Sequence, residues 1–531
     1  MKHEARRAIH GIVLLFLLSP LVCCCGEDGD GDKGKTDDST SLTFPSGFLF
    51  GTATAGFQVD MGCPTLPSEE CDDPNSDWYR YTTSPRTVLS PLTHLSGQDP
   101  AVVGPGHWEL YETDFDLAAG ELFNNALRMS IEWSRIFPRS TEGVEGQEGL
   151  RAIANQQAIA HYHAVFDALH ERGLRALVTL NHYSLPSWIH DGAGCHPSLS
   201  RCSDRGWADP TRIVREIAKY AGFVAEEFGD SVDLWTTLNE PMAQLVPAFL
   251  LPQASRSNPP ALFLAQQAFK QAFLAMIEAH ARMVDAVREH DTADADGDGI
   301  AAEIGIVYDV YPVFPVNPER ELDRRAAENV DYLWNMAFLN AVTTGEFDPE
   351  LDGTAVYRED LDNRMDFLGL NYYGKIVVEG IPVPIMAVVS PLTTFNPITI
   401  QIDVLYPEGI YEVPSMLQER FGLPVYITEN HGYSLVNGDL DSEKRYLVEN
   451  LSRVSLAIRH GADIRGYFYW TLMDNFEWNH GMDWTCGLYA VDPHDPHKER
   501  VPRETVDIYG RISRAGAVPP DLAALYPIPG L

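Results

Sequence analysis

Two stretches of this 531-residue chain end a short apolar, β-branched run on a carboxylate. In Trp235-Thr-Thr-Leu-Asn-Glu-Pro241 the carboxylate is Glu240, and Pro241 stops the strand; in Leu423-Pro-Val-Tyr-Ile-Thr-Glu-Asn430 it is Glu429. Burial strips water from such a group and disfavours its charged form, so its pKa rises. That suits an acid that must hold a proton near neutral pH and then release it. Taken by itself, the first stretch fits equally well a strand-end glutamate paired with an arginine. The second stretch breaks the tie. Two facing strand-end carboxylates are what glycosidic bond cleavage requires: one protonates the leaving oxygen, and the other attacks the anomeric carbon or activates water there.

Such a pair needs a scaffold that brings distant strand ends together. From Phe48 onward the chain alternates short apolar strands with helix-patterned runs such as Ile213 to Phe228, the signature of repeated βα units and a parallel sheet. Strands are expected at Leu127–Ile131, Ala176–Leu180, Leu234–Leu238, Ile304–Asp309, Phe367–Leu370, Val425–Thr428 and Gly466–Trp470, with Gly47–Ala53 as the first. Eight strands closing on themselves predict an α/β fold, a single (β/α)8 TIM barrel with its active site at the C-terminal strand ends. Long loops at Gly62–Gly106, Asp191–Pro210, Ala248–Pro260 and Gly380–Pro407 are expected to rim its mouth.

Ahead of the barrel, a short basic head (Lys2, Arg6, Arg7) precedes the apolar run Ile12–Leu18 and the cluster Leu21-Val-Cys-Cys-Cys25, so residues 1–25 read as an export signal. Leu21-Val22-Cys23-Cys24 looks like a bacterial lipoprotein processing site with Cys24, or a neighbour, as the lipidated residue; simple secretion is the alternative. Residues 26–41 are acidic and almost free of apolar side chains, a flexible linker. The remaining 42–531, 45% of the whole chain being apolar, suffice for one large core. With 39 basic against 76 acidic residues the formal charge is −37, which argues against nucleic acid, anionic membrane surfaces and phosphorylated substrates, and leaves neutral substrates as the expectation.

Cysteines form two close pairs, Cys63/Cys71 and Cys195/Cys202, each in a Pro/Ser/Asp-rich loop; in an exported chain these are expected disulfides, only His196 being near enough to suggest a metal. Cys486 is left over as an expected buried thiol. Asp294, Asp296 and Asp298 before Gly299 match half of a calcium loop, but Gly305 stands where a bidentate glutamate is wanted, and a solvated acidic turn is the competing reading.

The pair Thr-Leu-Asn239-Glu240-Pro and Ile-Thr-Glu429-Asn430 resembles the acid/base and nucleophile motifs of the family 1 glycoside hydrolases, the β-glucosidase and β-galactosidase family, over about Phe48 to Val506. The resemblance implies that Glu240 is the acid/base, Glu429 the nucleophile, and that they lie about 5–5.5 Å apart, as retention demands. It implies that Arg128 and Tyr373, the latter in Asn371-Tyr-Tyr373, position the nucleophile together with Asn371; Tyr372 competes with Tyr373 for that role. Gln58, His182 and Glu477 are implied to meet hydroxyls of the nonreducing sugar, and Asn239 its 2-hydroxyl. Neutral amide, imidazole and carboxylate groups suit hydroxyls that both donate and accept. Trp470 and Trp478 offer flat apolar faces to a pyranose, though for Trp470 a core position fits nearly as well. Neither a metal nor a cofactor is needed.

Members that act on 6-phosphorylated sugars carry a Ser-Lys-Tyr pocket; the comparable positions here are Glu477, Trp484 and Cys486, without a phosphate clamp. The loop Ser76–Tyr81 and the segment Gly104–Trp108 look most like the archaeal-type branch, whose members accept several β-sugars. Three departures stand out. Asp60 replaces the usual Glu, Glu429-Asn-His431-Gly432 replaces Glu-Asn-Gly, and Leu245–Pro252 replaces a glycine-rich loop. The function implied is a retaining β-glycosidase acting on terminal β-D-glucosyl or related residues of a small or oligomeric glycoside. A transglycosidase using the same residues and a non-catalytic surface sugar-binding protein are the alternatives, and a membrane partner is expected only through the lipid anchor.

Overall fold

The eight apolar runs become eight parallel strands closed into a ring. They are β1 (Leu49–Ala53), β2 (Ala126–Ser130), β3 (Arg175–Asn181), β4 (Leu234–Asn239), β5 (Glu303–Asp309), β6 (Phe367–Asn371), β7 (Val425–Asn430) and β8 (Ile464–Trp470). Each pairs with its neighbours in chain order, and β1 closes on β8, with Leu49 opposite Gly466 and Ala53 opposite Trp470. The computed structural model describes residues 42–397, 399–431 and 440–528. The export signal with Cys24 and the whole linker lie outside the described residues, as does Gly432.

Strand side chains alternate between two cores. Leu177, Leu234, Phe367, Tyr426 and Phe468 point inward and fill the barrel; a Cβ on Gly51 would lie 2.4 Å from the Phe468 ring, so only glycine fits there. The alternate residues pack beneath eight helices, one after each strand: α1 (His107–Gly120), α2 (Gln156–Glu171), α3 (Pro210–Phe228), α4 (Gln266–His290), α5 (Ala337–Thr344), α6 (Gly409–Phe421), α7 (Leu440–Arg459) and α8 (Glu504–Ala515). Local chemistry sets their ends. The Asn155 side chain accepts from the N–H groups of Gln157 and Ala158 to start α2, Pro210 opens α3 where no N–H is required, and Gly422 stops α6 at φ 71°.

The expected loops are more ordered than their composition suggests. Gly62–Gly106 holds four short helices (Ser68–Cys71, Asp77–Thr83, Pro85–Val88 and Pro100–Val103), and Gly380–Pro407 supplies a strand, Gln401–Asp403, to a small sheet with Lys375–Val378 and Val313–Pro315. Disulfides join Cys63 to Cys71 and Cys195 to Cys202. Cys486 is free and half-buried, packed against the barrel core where it lines the pocket at the barrel mouth.

The candidate calcium trio is not assembled as expected. Asp294 accepts the N–H groups of Gly297 and Gly299, Asp296 pairs with Arg175, and Asp298 turns to the N–H of Ile300. The carboxylates that converge are those of Asp233, Asp294 and Asp296, with Asp233 itself accepting from the backbone of Ala295 and Asp296. Backbone donors organise this turn between α4 and β5. Among the described residues no helix is long and apolar enough to cross a membrane.

Candidate active site

Glu240 follows β4 directly and is 6% exposed. Its backbone is left-handed (φ 45°, ψ 67°), held by its N–H donating to the Val307 carbonyl at 2.9 Å and by Pro241 opening the next helix. This turn swings the side chain over the barrel mouth. Asn371 donates to its Oε1 at 2.8 Å, and the Tyr183 hydroxyl donates to its Oε2.

Glu429 lies near the end of β7, where the pairing with β6 slips between Ile427 and Glu429. Such an irregularity re-aims a side chain that plain alternation would place elsewhere. Arg128, wholly buried in β2, donates to Glu429 Oε1 at 2.5 Å, and Tyr373 donates to Oε2 at 2.5 Å. The remaining guanidinium donors reach Thr179 Oγ1 at 3.1 Å and Asn239 Oδ1 at 2.7 Å, so a single cation ties β2, β3, β4 and β7 together. Burial raises the Glu429 carboxyl above its ordinary range, the Arg128 charge pulls it back, and neighbouring Glu240 pushes it up again. Burial and the carboxylates hold the Tyr183 and Tyr373 hydroxyls well above their ordinary value, so both remain donors.

Two assignments sharpen. Tyr372 turns its hydroxyl away to the Tyr406 carbonyl, which leaves Tyr373 as the tyrosine on Glu429. Asn371, expected to position the nucleophile, instead bonds the other carboxylate. Its oxygen accepts from Thr428 Oγ1 at 2.8 Å, which orients the amide donor toward Glu240 and, at 3.3 Å, Asn239.

The sugar-contact candidates gather on one side of the pair. Gln58, in the short helix after β1, donates to Glu477 Oε2 at 2.9 Å and Asn475 Oδ1 at 3.1 Å, while its Oε1 has no partner among the described residues. His182, just past β3, lies nearly parallel to Trp470 and Trp478 at 5.8 and 5.9 Å between ring centres. Burial and the charges of Arg128 and Arg256 hold its imidazole well below the ordinary value, so it is neutral and can both donate and accept. Trp478 packs on Trp78 and Phe57. Trp470 ends β8 with 5% exposure and, like Trp478, lines a pocket of about 520 Å³ shared with Glu240, Glu429, His182 and Glu477.

Three residues of this pocket, Tyr183, Arg256 and Asp309, were not singled out by the sequence, and a fourth, His431, was marked there only as a departure from the family motif. Tyr183 holds Glu240. Arg256 pairs with Glu477 at 3.3 Å and lies over the rings of Tyr183 and Trp478. His431 lies 5.2 Å from the Tyr373 ring. Asp309 is a third carboxylate, the last residue of β5 and 1% exposed, with Trp334 Nε1 donating to its Oδ2 at 3.2 Å. Burial and the neighbouring Glu240 and Glu429 push its carboxyl well above the ordinary value. The strand-end argument used for Glu240 and Glu429 reaches Asp309 as well, since Ile304–Asp309 is an apolar run that ends on a carboxylate.

The departures have local explanations. Asp60 pairs with buried Arg135 at 3.2 Å beneath the pocket. Asn430 is anchored regardless of His431, donating to the Tyr372 carbonyl at 2.7 Å and accepting from Asn450 and Tyr467. Leu245–Pro252 forms a wide helical turn over Val246–Leu250 beside the acid. Chemically, the arrangement offers one carboxylate flanked by a cation, another flanked by neutral donors, and hydroxyl-binding groups to one side.

Residues 40–517 match the family described as Glycosyl hydrolase family 1. The chain is 34% identical to a β-galactosidase of Pyrococcus woesei, the alignment covering 88% of this chain and 96% of that protein. It is 30% identical to β-glucosidase A of Thermotoga maritima, over 85% of this chain and 93% of the relative. The crystal structure of the β-glycosidase from Thermosphaera aggregans superposes with a TM-score of 0.76 at 28% identity, covering 92% of this chain and all of that one.

Proposed function

Because this chain belongs to glycosyl hydrolase family 1 and is a retaining β-glycosidase, we propose that it removes terminal β-D-glucosyl or β-D-galactosyl residues, with Glu429 as nucleophile and Glu240 as acid/base. The observation that carries the assignment of roles is the contrast between the two carboxylates. Arg128 and Tyr373 both direct donors at Glu429, which favours its ionised form for attack at the anomeric carbon. Glu240 meets only an amide and a phenol, uncharged partners that tolerate a proton on the carboxyl.

In the first step Glu429 bonds to the anomeric carbon as Glu240 gives its proton to the leaving oxygen. In the second, Glu240 takes a proton from water, which displaces Glu429, so two inversions give retention. Asn239, oriented by Arg128 and Asn371, is placed for the 2-hydroxyl; Gln58, His182 and Glu477 receive the other hydroxyls. The names of the relatives from Pyrococcus woesei and Thermotoga maritima support galactose and glucose as the sugars. Release of p-nitrophenol from a panel of p-nitrophenyl β-D-glycosides by residues 42–531 tests this. Turnover of the glucoside or galactoside is expected; turnover confined to other sugars would overturn the proposed specificity.

The basic head, apolar run and cysteine cluster of residues 1–25 support export and a lipid tether at Cys24. Partition of the full chain into the detergent phase should vanish in Cys24→Ser; unchanged partition would overturn the tether at that residue.

A further inference from the structure

Arg256 comes from the loop after β4, yet it reaches the sugar-contact side of the pocket. A tight turn presents it. The Gln253 N–H donates to the Arg256 carbonyl at 2.9 Å, and the Arg256 N–H donates to the Gln253 carbonyl at 3.1 Å. This turn is sewn to the segment after β8: Asn479 Oδ1 accepts from the Ser257 N–H at 3.1 Å, Asn479 Nδ2 donates to the Ala254 carbonyl at 3.2 Å, and His480 Nε2 lies 3.0 Å from the Ser255 carbonyl oxygen. The backbone at Arg256 is thereby fixed relative to Glu477, two residues before Asn479.

On this frame the Arg256 guanidinium donates to Glu477 Oε1 at 3.3 Å and lies over the rings of Tyr183 and Trp478, 5.9 and 5.8 Å from their centres. Gln58 donates to the other oxygen, Oε2, at 2.9 Å. A carboxylate has about four acceptor positions. With one donor on each oxygen, Glu477 keeps a lone pair on each for a sugar hydroxyl, provided that the carboxyl is ionised and its plane does not turn. Burial opposes that ionisation. Arg256 is the largest influence favouring it, followed by His480 and Gln58, while Glu240 works against it. The Cys486 thiol, held well above its ordinary value by burial, adds no charge.

We propose that Arg256 is a positioning residue for sugar binding: clamped between Glu477, Tyr183 and Trp478, it presents the Glu477 carboxylate to the substrate's hydroxyls without touching the reacting atoms. The inference rests on the glycosidase reading and deepens it, because it assigns recognition of the nonreducing sugar in part to a loop on the far side of the pocket from Gln58.

The test is a double-mutant cycle on p-nitrophenyl β-D-glucoside or galactoside, whichever turns over faster, with Arg256→Met, Glu477→Gln and the pair. Methionine keeps an apolar stem over the rings and removes the charge. Arg256→Met is expected to raise KM roughly tenfold while kcat stays within about threefold. The rise should shrink as pH increases, since the uncompensated carboxyl ionises again there. Arg256→Lys, which restores the charge without the planar fork, should fall between the two, and Arg256→Gln, equally neutral, guards against a disturbed loop in the methionine variant. In the Glu477→Gln background no charge is left to hold, so Arg256→Met should change KM by less than about twofold. An equal rise in KM in both backgrounds and at every pH would mark a purely structural contact and overturn the inference. So would a KM within twofold in a folded Arg256→Met enzyme. Turnover of no glycoside by the unsubstituted chain would overturn the glycosidase reading and this inference with it.

Discussion

The sugar-binding floor and the leaving-group wall meet at Glu240 and are built in opposite ways. Asn239, one residue before it, is held by Arg128 and Asn371 in a network that spans β2, β4, β6 and β7. Val246, six residues after it, belongs to an apolar wall drawn from helical turns and the Gly380–Pro407 loop. The floor is polar and buried, and its two carboxylates and the groups that hold them lie on strands or within two residues of a strand end. Its chemistry fails if a carboxylate moves, and strands of a closed barrel move least. The wall needs only shape and greasiness, which loops supply and which can change without disturbing the reacting atoms.

If that contrast holds, substitutions on the floor should dominate every kinetic measurement. Glu429→Gln removes the attacking oxygen charge and is expected to lower kcat/KM on p-nitrophenyl glucoside by roughly 10⁴-fold or more while the variant still binds sugar; loss within tenfold would remove Glu429 from the nucleophile's role.

Arg128→Met strikes the same carboxylate indirectly. Without the cation, burial is unopposed and the Glu429 carboxyl rises further. An ionised nucleophile is then lost at higher pH, so the acid limb of the kcat/KM profile should move up by about one unit or more, with Arg128→Lys between the two. An unmoved acid limb in a folded Arg128→Met enzyme would detach Arg128 from the nucleophile.

Asp309→Asn should be the mildest floor substitution, because asparagine is nearly isosteric with aspartate, removes a charge that burial and the two catalytic carboxylates already disfavour, and can still accept from Trp334. At pH 6, kcat/KM is expected to stay within about threefold of the unsubstituted enzyme. If Asp309 carries its charge there, removing it would shift the kcat/KM profile to lower pH, which the full profile would reveal.

The two regions were also unequally legible in the sequence. Glu240 and Glu429 stood out because a carboxylate closing an apolar strand has few cheap explanations, and the eight strands were readable from the alternation that a parallel barrel imposes. Asp309 obeys the same rule and was passed over because no motif marked it. Asn371 was assigned to the wrong carboxylate, since the choice depends on Thr428 orienting its amide, a contact between different strands. Arg256 and the apolar wall were hidden more deeply. Arg256 is placed by the loop after β4 meeting Tyr183 and the segment after β8 that carries Glu477 and Trp478, and the wall by the loops after β4 and β6 meeting Trp334 after β5; none of these loops has a periodic pattern to read.

The left-handed backbone at Glu240 has a consequence for engineering. An ordinary side chain in that conformation costs of order 1 kcal/mol or more, and glycine is the residue that would relax it. The catalytic acid thus occupies a position where the inactive substitution has the better backbone energy. A library ranked by heat resistance alone would drift toward Glu240→Gly and discard the chemistry, so selection for a sturdier enzyme from this scaffold has to score turnover in the same round.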